Sequence, residues 1–503
     1  MHVVTREEMQ AIDQYTIQVI GLGGPILMEN AGRAVYDALV RVLKAQDKLV
    51  IVIGKGNNGG DGFVLARLLL SSVYQAETWL LPEVDEISGD ANSHMQAFVR
   101  SGGVIHQIAS EPASFAARLR EADVIVDALL GTGCRGVPRP NYALVIQQIN
   151  QVSARRVSID LPSGVPANGE VFTHEAVHAD RTLTLCCPKL AQFTASSAVC
   201  FGETEVLAIG IPRLAIEAGG AYRSVRMRDE VCHSLPVRDP FSNKGTHGKG
   251  LLIAGAKTMP GAAYLTAKAA LRSGIGLLTT SVPDEVRPVL AGLLPETMHQ
   301  SRQTLDFQNV SGLAIGPGLG RESDKAELVL RVLEADIPTV IDADGLYHLT
   351  GLLDRLTARQ APIILSPHPG EMARLTGQSI HSIERDRFAV SRSFAMRHGV
   401  YLVLKGRYTV ITAPDGQQVV NPTGNAALAK GGSGDVLTGI LLAFLLQHRQ
   451  VMDAVCNAVY VHGALADRLI QTRHSPLDVL ATDLIEEIPP VLHGLFRERE
   501  ARA

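Results

Sequence analysis

The chain has 503 residues, 46% of them hydrophobic and 19% charged, the mixture of a globular protein with core enough for two to four domains. Its formal net charge is −4 and its basic residues form no run, which excludes recruitment of nucleic acid or anionic lipid by charge. No apolar stretch approaches the ~20 residues that span a bilayer, and no Cys-x-x-Cys pair occurs among the six cysteines, Cys134, Cys186, Cys187, Cys200, Cys232 and Cys456. A zinc site or disulfide framework is therefore not expected, and free thiols in a reducing, cytoplasmic setting are.

In chain order, Thr5 and Glu8 have capping-box spacing and predict a helix where a leader would carry an apolar region. Lys48–Ile53 is a short β-branched run and predicts a buried parallel strand. It enters the glycine-rich stretch 54–62, after which Phe63–Leu69 reads as a helix, the first unit of a Rossmann-like sheet. Gly54, Gly56 and Gly59 satisfy G-x-G-x-x-G, but Glu83, the acid nearest the expected place, follows Pro82, so redox binding of NAD is not assigned. Asn57, Asn58 and Asp61 would set amide and carboxylate oxygens beside exposed backbone N–H groups, which suits a phosphorylated polyol with a hard cation. The same residues also suit a plain turn, and for this loop alone both readings stand.

Two further strand ends follow. Ala122–Leu130 leads to Gly131–Val137, and Arg156–Ile159 leads to Asp160-Leu161-Pro162-Ser163-Gly164. Ligands of open α/β sheets bind at the carboxyl ends of strands, so three polar tips predict one shared cleft. These segments resemble the NAD(P)H-hydrate epimerase family over residues 1–215. The resemblance implies that Asn57, Asn58, Gly59, Gly60 and Asp61 hold the hydrated nicotinamide nucleotide. It implies the same for Gly131, Thr132, Gly133, Cys134, Arg135, Gly136 and Val137, and for Asp160. It also implies a potassium ion near Asn58, Asp127 and Ser163, and the family's Pro-Lys is present as Pro188-Lys189. Asp160 is the expected acid/base group: nitrogen push expels the ring hydroxyl, and water returns to either face of the iminium.

The strand pattern lapses around residues 216–221 and 234–240, where glycine and proline punctuate it. A boundary is expected near 218–228, dividing the chain into residues 1–218 and 228–495 with a solvated tail beyond.

The second half carries Asn243–Gly250, a strand at Leu251–Gly255, and a small-residue helix from Ala262 to Ser273. Strand ends at Gly316–Gly320, Asp342–Gly345, Ser366–Glu371 and Lys405–Thr409 then repeat the doubly wound pattern. The series closes on Gly431, Gly432, Ser433 and Gly434, then Asp435, then an apolar helix over Val436–Leu446. Backbone N–H groups at such a helix start face an anion, and Asp435 stands where it could take a proton from a hydroxyl aimed at phosphate.

From 228 to 495 the chain resembles the ADP-dependent NAD(P)H-hydrate dehydratase family of the ribokinase-like superfamily, on Asn243–Gly248, Pro260–Ala263, Gly316–Gly320, Ser366–Leu375 and Asn421–Gly439. The resemblance implies that Lys405, Gly406, Arg407, Tyr408, Thr409 and Gly434 contact the adenine nucleotide. Ala262, Gly318, His368 and Asp435 would contact the hydrate. Gly431–Gly434 amides would hold the transferring phosphoryl, with magnesium bridging phosphates and Asp435 as base. ADP as donor, and self-association, are also implied by the family. The expected architecture is two doubly wound α/β domains, a Rossmann-like αβα domain and a ribokinase-like αβα domain. The expected function is epimerisation and ADP-driven dehydration of hydrated NADH and NADPH. The competing reading is a small-metabolite kinase with a regulatory amino-terminal nucleotide-binding domain.

Overall fold

The computed structural model describes residues 1–134 and 136–502. The chain divides into two compact units, one of residues 2–222 and one from Arg223 to the carboxyl terminus together with Met1. No helix among the described residues is long and apolar enough to cross a membrane.

The amino-terminal unit is built on a parallel sheet. Its strands are β1 (Lys48–Ile53), β2 (Gln75–Leu80), β3 (Ile105–Gln107), β4 (Val124–Ala128), β5 (Arg155–Ile159), β6 (Arg181–Leu185) and β7 (Glu203–Leu207). They lie in the order β3-β2-β1-β4-β5-β6-β7, all paired parallel. Parallel strands need helical crossovers, and crossovers bury both faces of the sheet. The β1 side chains show this: Leu49, Ile51 and Ile53 enter one core, Val50 and Val52 the other. Strand order reverses between β1 and β4, which opens a crevice at their carboxyl ends.

One helix begins earlier than its apolar pattern suggests. It spans Asn57–Leu70 with Gly56 as N-cap, so residues 57–62 are helical rather than looped. These glycines answer to close packing. A Cβ on Gly59 would fall 2.0 Å from the Gly54 carbonyl oxygen, and one on Gly60 would fall 2.3 Å from the Met28 sulfur. Small residues hide the helix start because they erase the apolar periodicity that marks one.

The carboxy-terminal unit contains β8 (Arg223–Val225), β9 (Lys249–Ile253), β10 (Leu277–Ser281), β11 (Met298–His299), β12 (Gly312–Ile315), β13 (Thr339–Ile341), β14 (Ile363–Leu365), β15 (Tyr401–Leu404), β16 (Thr409–Thr412) and β17 (Gln418–Asn421). Their order is β8-β17-β16-β15-β14-β13-β12-β9-β10-β11. From β11 to β15 every pairing is parallel. The alternation of strand and helix then stops: β15-β16 and β16-β17 pair antiparallel. The reason is loop length, since residues 405–408 are too few for a crossover.

The helix Ser433–Leu445 is buried along its whole apolar run, Val436–Leu445. It packs on the helix Pro260–Arg272 so closely that a Cβ on Gly439 would fall 2.3 Å from the Thr266 carbonyl oxygen. It starts at Ser433, three residues before the apolar run, which places Asp435 in its first turn. Gly432, its N-cap, has φ +91°, a conformation glycine adopts without strain.

Candidate functional site

In the amino-terminal unit a cleft of about 630 Å³ opens at the carboxyl ends of β1, β4 and β5. Asn57, Asn58, Asp61, Gly131, Thr132, Gly133, Cys134, Val137 and Asp160 all line it. Gly59 and Gly60 instead serve the packing behind it, and Gly136 bends its loop at φ +69°. Arg135 lies outside the described residues.

Asp127 and Ser163 sit beneath the wall with no exposure. Asp127 accepts from Ser163 Oγ at 2.5 Å, Ser163 N at 2.9 Å, Ser158 Oγ at 2.8 Å and Leu129 N at 3.2 Å. Burial pushes its carboxyl up, and these hydrogen bonds oppose the push. Asn58 donates through Nδ2 to the Leu130 carbonyl at 3.0 Å, while its buried Oδ1 has no hydrogen-bond partner. An orphaned buried oxygen is costly unless something meets it. Near it are two further hard oxygens, the Leu130 carbonyl, which accepts from Asn58 Nδ2, and Ser163 Oγ, which lies 3.2 Å from that carbonyl and donates to Asp127, the donor chemistry a monovalent cation takes.

Asp160 follows β5 at φ +65°, strain of the kind that clusters at working sites. Its carboxylate is ion-paired with Lys189, whose side chain is 1% exposed. Leu185 N donates to Asp160 at 3.1 Å, and Lys189 Nζ donates to the Leu185 carbonyl at 2.9 Å. Asp13, Asp61 and Asp90 also line the cleft. Burial pushes Asp13 up to about 6, with Lys189 lowering it and Asp160 raising it. Burial, then the charges of Asp160 and Asp13, push Asp61 well above the carboxylate range, with Lys189 opposing. Asp13, Asp61, Asp160 and the buried Lys189 are therefore electrostatically coupled within one cleft.

Asp13 escaped the sequence reading because a single acid on an amphipathic helix looks like a solvated face. Lys189 was noticed without a role. Lys55, from the glycine-rich stretch 54–62, also lines the cleft, as do Tyr142 and Arg139, which no motif announced.

The carboxy-terminal unit gathers its polar tips around Gly434. A Cβ there would lie 3.7 Å from Lys405 Nζ and 3.8 Å from Asp342 Oδ2. Lys405 Nζ donates to Asp342 Oδ1 at 2.9 Å, and Thr438 Oγ1 donates to Asp342 Oδ2 at 2.8 Å. Glu371 stands 3.9 Å from Lys405 Nζ and 3.5 Å from the His368 ring. Burial works against the Lys405 charge, but Asp342 and Glu371 outweigh it and hold the ammonium above its ordinary range. Burial pushes Asp435 up to about 7, Asp342 and Asp344 raising it further and Lys405 opposing.

The glycine loop is braced from behind. His462 Nε2 meets the Ser433 carbonyl at 2.9 Å, and burial lowers that imidazole to about 4, so it is neutral there. Asp467 takes hydrogen bonds from Gly424 N and Asn425 Nδ2, both at 2.8 Å. Arg387 Nη2 donates to the Leu404 and Lys405 carbonyls at 2.8 and 2.9 Å, and a Cβ on Gly406 would collide with it at 2.6 Å. Gly318 and Ala262 face each other, with 2.8 Å between an added Cβ and the Ala262 Cβ.

His368 is exposed and caps the helix Pro369–Thr376 through Nδ1. Arg407 donates to the Gly424 carbonyl and covers the Tyr408 ring, while Thr409 opens β16. Gly431 is exposed, with open space around its Cα. Asp342, Glu371 and Thr438 lie within the strand-end and glycine-loop segments picked out in the sequence, without a role of their own there; His462, Asp467 and Arg387 were not expected, because they sit one step behind those segments, where sequence spacing carries no signal. Among the described residues no group of three or more His, Cys, Asp or Glu side chains forms a metal cluster.

Two family models match this chain. One, described as NAD(P)H-hydrate dehydratase, covers residues 250–490. The other, described as YjeF-related protein N-terminus, covers residues 24–191. A bifunctional NAD(P)H-hydrate repair enzyme of Moorella thermoacetica is 36% identical over 99% of this chain and 98% of its own length. The enzyme of that name from Escherichia coli is 34% identical over 97% of this chain and 93% of its own. The crystal structure of the ADP/ATP-dependent NAD(P)H-hydrate dehydratase of Bacillus subtilis, co-crystallised with ATP and Mg2+, matches 54% of this chain and 98% of its own. Its TM-score is 0.51 and its identity 38%. Matched from end to end by such relatives, the chain belongs to the family of bifunctional NAD(P)H-hydrate repair enzymes.

Proposed function

We propose that the chain restores hydrated nicotinamide nucleotides, its amino-terminal unit exchanging the R and S epimers of hydrated NADH and NADPH. The carboxy-terminal unit then dehydrates the S epimer at the expense of ADP, giving AMP and phosphate. The observation that carries this reading is the setting of Asp435: first turn of a glycine-started helix, raised to about 7, beside the Lys405-Asp342 pair. A base poised near neutrality next to N–H groups and an ammonium suits attack of a hydroxyl on phosphate.

Asp435 accepts the proton of the ring hydroxyl as that oxygen bonds to the terminal phosphorus of ADP, and AMP departs. Hydroxide leaves poorly and phosphate leaves well, so the ring nitrogen then expels phosphate, and the iminium that results loses a proton from the neighbouring ring carbon to water, reforming the dihydropyridine. The amides of residues 431–434 and Lys405 hold the phosphoryl oxygens. Asp342 and Glu371, the two carboxylates that face Lys405, are hard oxygen donors that would share magnesium with the phosphate oxygens, and the ion would neutralise phosphate charge when bound.

In the amino-terminal unit, Asp160 with Lys189 exchanges the proton of the departing or returning water, and residues 57–61 and 131–137 hold the nucleotide. Potassium would sit against Asn58, Ser163 and the Leu130 carbonyl, with Asp127 behind. The relatives' names and the charge pattern support small-molecule substrates; a homo-oligomer and a cytoplasmic location belong to this proposal too.

The test is incubation of hydrated NADH with the full chain, with and without ADP and magnesium, following the absorbance of the reduced ring. Recovery of absorbance with free phosphate is expected. A stable phosphorylated product without recovery would support the metabolite-kinase reading instead.

A further inference from the structure

His462, behind the glycine loop, has no part in the steps above. It stands midway along the helix Val451–Thr472, in a run where Val459, Val461, Leu465 and Ala466 are also buried, and is itself 8% exposed. An apolar residue would pack there with no polar atom to satisfy, whereas a buried ring nitrogen is costly unless it is bonded.

The bond it makes runs from Nε2 to the Ser433 carbonyl, 2.9 Å away. A carbonyl only accepts, so Nε2 carries the proton and donates. The carbonyl does not depend on it, because the ladder of the helix Ser433–Leu445 already brings the Leu437 N–H to that oxygen. The consequence of the bond lies at the other end of the same peptide unit. A trans peptide is planar, and its C=O and N–H point in opposite directions. The unit whose oxygen meets His462 therefore aims its N–H, that of Gly434, out of the helix start, where first-turn N–H groups have no intrahelical partner. Gly434 is at the centre of the site: a Cβ there would lie 3.7 Å from Lys405 Nζ and 3.8 Å from Asp342 Oδ2.

Amides that stabilise a developing anion are effective when they are fixed in place beforehand. Gly431, Gly432 and Gly434 leave this backbone with little restraint of its own. Ser433 Oγ ties the loop back on itself, donating toward the Leu428 and Lys430 carbonyls at 2.8 and 2.9 Å. The His462 bond falls instead on the Ser433-Gly434 peptide, and it comes from the middle of a 22-residue helix. A donor on the carbonyl also polarises the peptide, which strengthens the N–H at its far end.

We infer that His462 is a positioning residue for phosphoryl transfer: by donating to the Ser433 carbonyl it fixes and polarises the Gly434 N–H that holds the transferring group. This rests on the glycine loop being the phosphoryl site, as proposed above.

Two amide side chains separate this role from core packing. The Gln amide nitrogen can take the place of the imidazole Nε2, whereas the Asn amide nitrogen reaches only the place of Nδ1. The measurement is steady-state dehydration of the S epimer of hydrated NADH by the full chain, with ADP varied at saturating magnesium. His462→Asn and His462→Leu should lower kcat about ten-fold, less than the ~10²–10³-fold lost with an anion-hole donor itself. KM for ADP should stay within about two-fold of wild type, since an interaction that strengthens as charge develops acts on kcat. His462→Gln should restore kcat to within about three-fold of wild type, as the donor is kept. Wild-type kcat in both His462→Asn and His462→Leu, equal losses in His462→Gln and His462→Asn, or a change confined to KM for ADP would overturn the assignment. Should His462→Leu fail to fold, the comparison of His462→Gln with His462→Asn decides alone. Asp435→Asn keeps the two levels apart. If it leaves dehydration intact, the loop and His462 both lose their roles; if it stops dehydration while the His462 variants run at the wild-type rate, His462 alone loses its role.

Discussion

Asp435 carries a measurable signature at the scale of one residue. A base raised to about 7 is half protonated at neutral pH, so dehydration should rise with pH through an inflection near 7 in kcat/KM. Burial is the main cause and the Asp342 charge the next, so Asp342→Asn should move that inflection to lower pH; an unmoved inflection would detach Asp342 from the base. The same shift has a stability sign. The folded pKa lies above the unfolded one, so this group's contribution to stability is whole below pH 4 and lost as pH rises through 7. Asp435→Asn should therefore stabilise the carboxy-terminal unit at pH 8, by about 2 kcal/mol after allowance for partial exposure, and leave it unchanged at pH 4, as denaturant titration at the two pH values would read. Asp13 makes a parallel case. With its carboxyl at about 6 in the same cleft as Asp160 and Lys189, it has a place in the proton exchange proposed for that cleft, and on that proposal Asp13→Asn should slow epimer exchange ten-fold or more. Exchange at the wild-type rate, measured by separating the epimers over time, would remove Asp13 from that role. The sequence disclosed most of the residues that line the amino-terminal cleft and those of the glycine loop at 431–435, because glycine loops and isolated acids at strand ends stand out. It concealed His462 and the pairing of Asp342 with Lys405 and of Lys189 with Asp160, because a buried charge pair or a neutral buried histidine has no spacing rule.

At the scale of elements, the glycines split into two kinds that look alike in sequence. Gly432 is needed for its φ of +91°, whereas Gly439 is needed because another helix lies against it. The second kind is tested by Gly439→Ala: the added methyl meets the Thr266 carbonyl oxygen at 2.3 Å and cannot be absorbed by a rotamer change. A loss of about 1–3 kcal/mol is expected from such overpacking, although alanine is the better helix former by ~1 kcal/mol. A rise in melting temperature would show that the two helices give way. This also explains which helix starts could be read. The Thr5–Glu8 capping box placed the first helix correctly, both of its reciprocal hydrogen bonds being present. The helices at Asn57 and Ser433 begin inside glycine clusters, where polar and small residues mask the turn that apolar periodicity would reveal. The antiparallel β15-β16-β17 segment was equally hidden, since its strands match parallel ones in composition and only the four-residue link at 405–408 betrays the hairpin.

At the scale of the whole molecule, each unit has cores on both faces of its own sheet and its own set of site residues. The two chemistries should therefore be separable by single substitutions in the full chain. With Asp160→Asn, the S epimer of a mixed hydrate should be dehydrated at the wild-type rate, and the R epimer should wait on uncatalysed exchange. Reduced-ring absorbance would then recover in a fast phase whose amplitude equals the initial S fraction, followed by a slow one. With Asp435→Asn, no absorbance should return, yet a sample enriched in one epimer should still relax to the mixture at the wild-type rate. The pattern follows from the placement of the acids: Asp160 lies with Lys189 in one unit, Asp435 beside Lys405 and Asp342 in the other, so neither substitution removes a charge from the other's site. A single-phase recovery with Asp160→Asn would place epimer exchange elsewhere than the Asp160 cleft, and loss of both activities with Asp435→Asn would show that the units do not work independently.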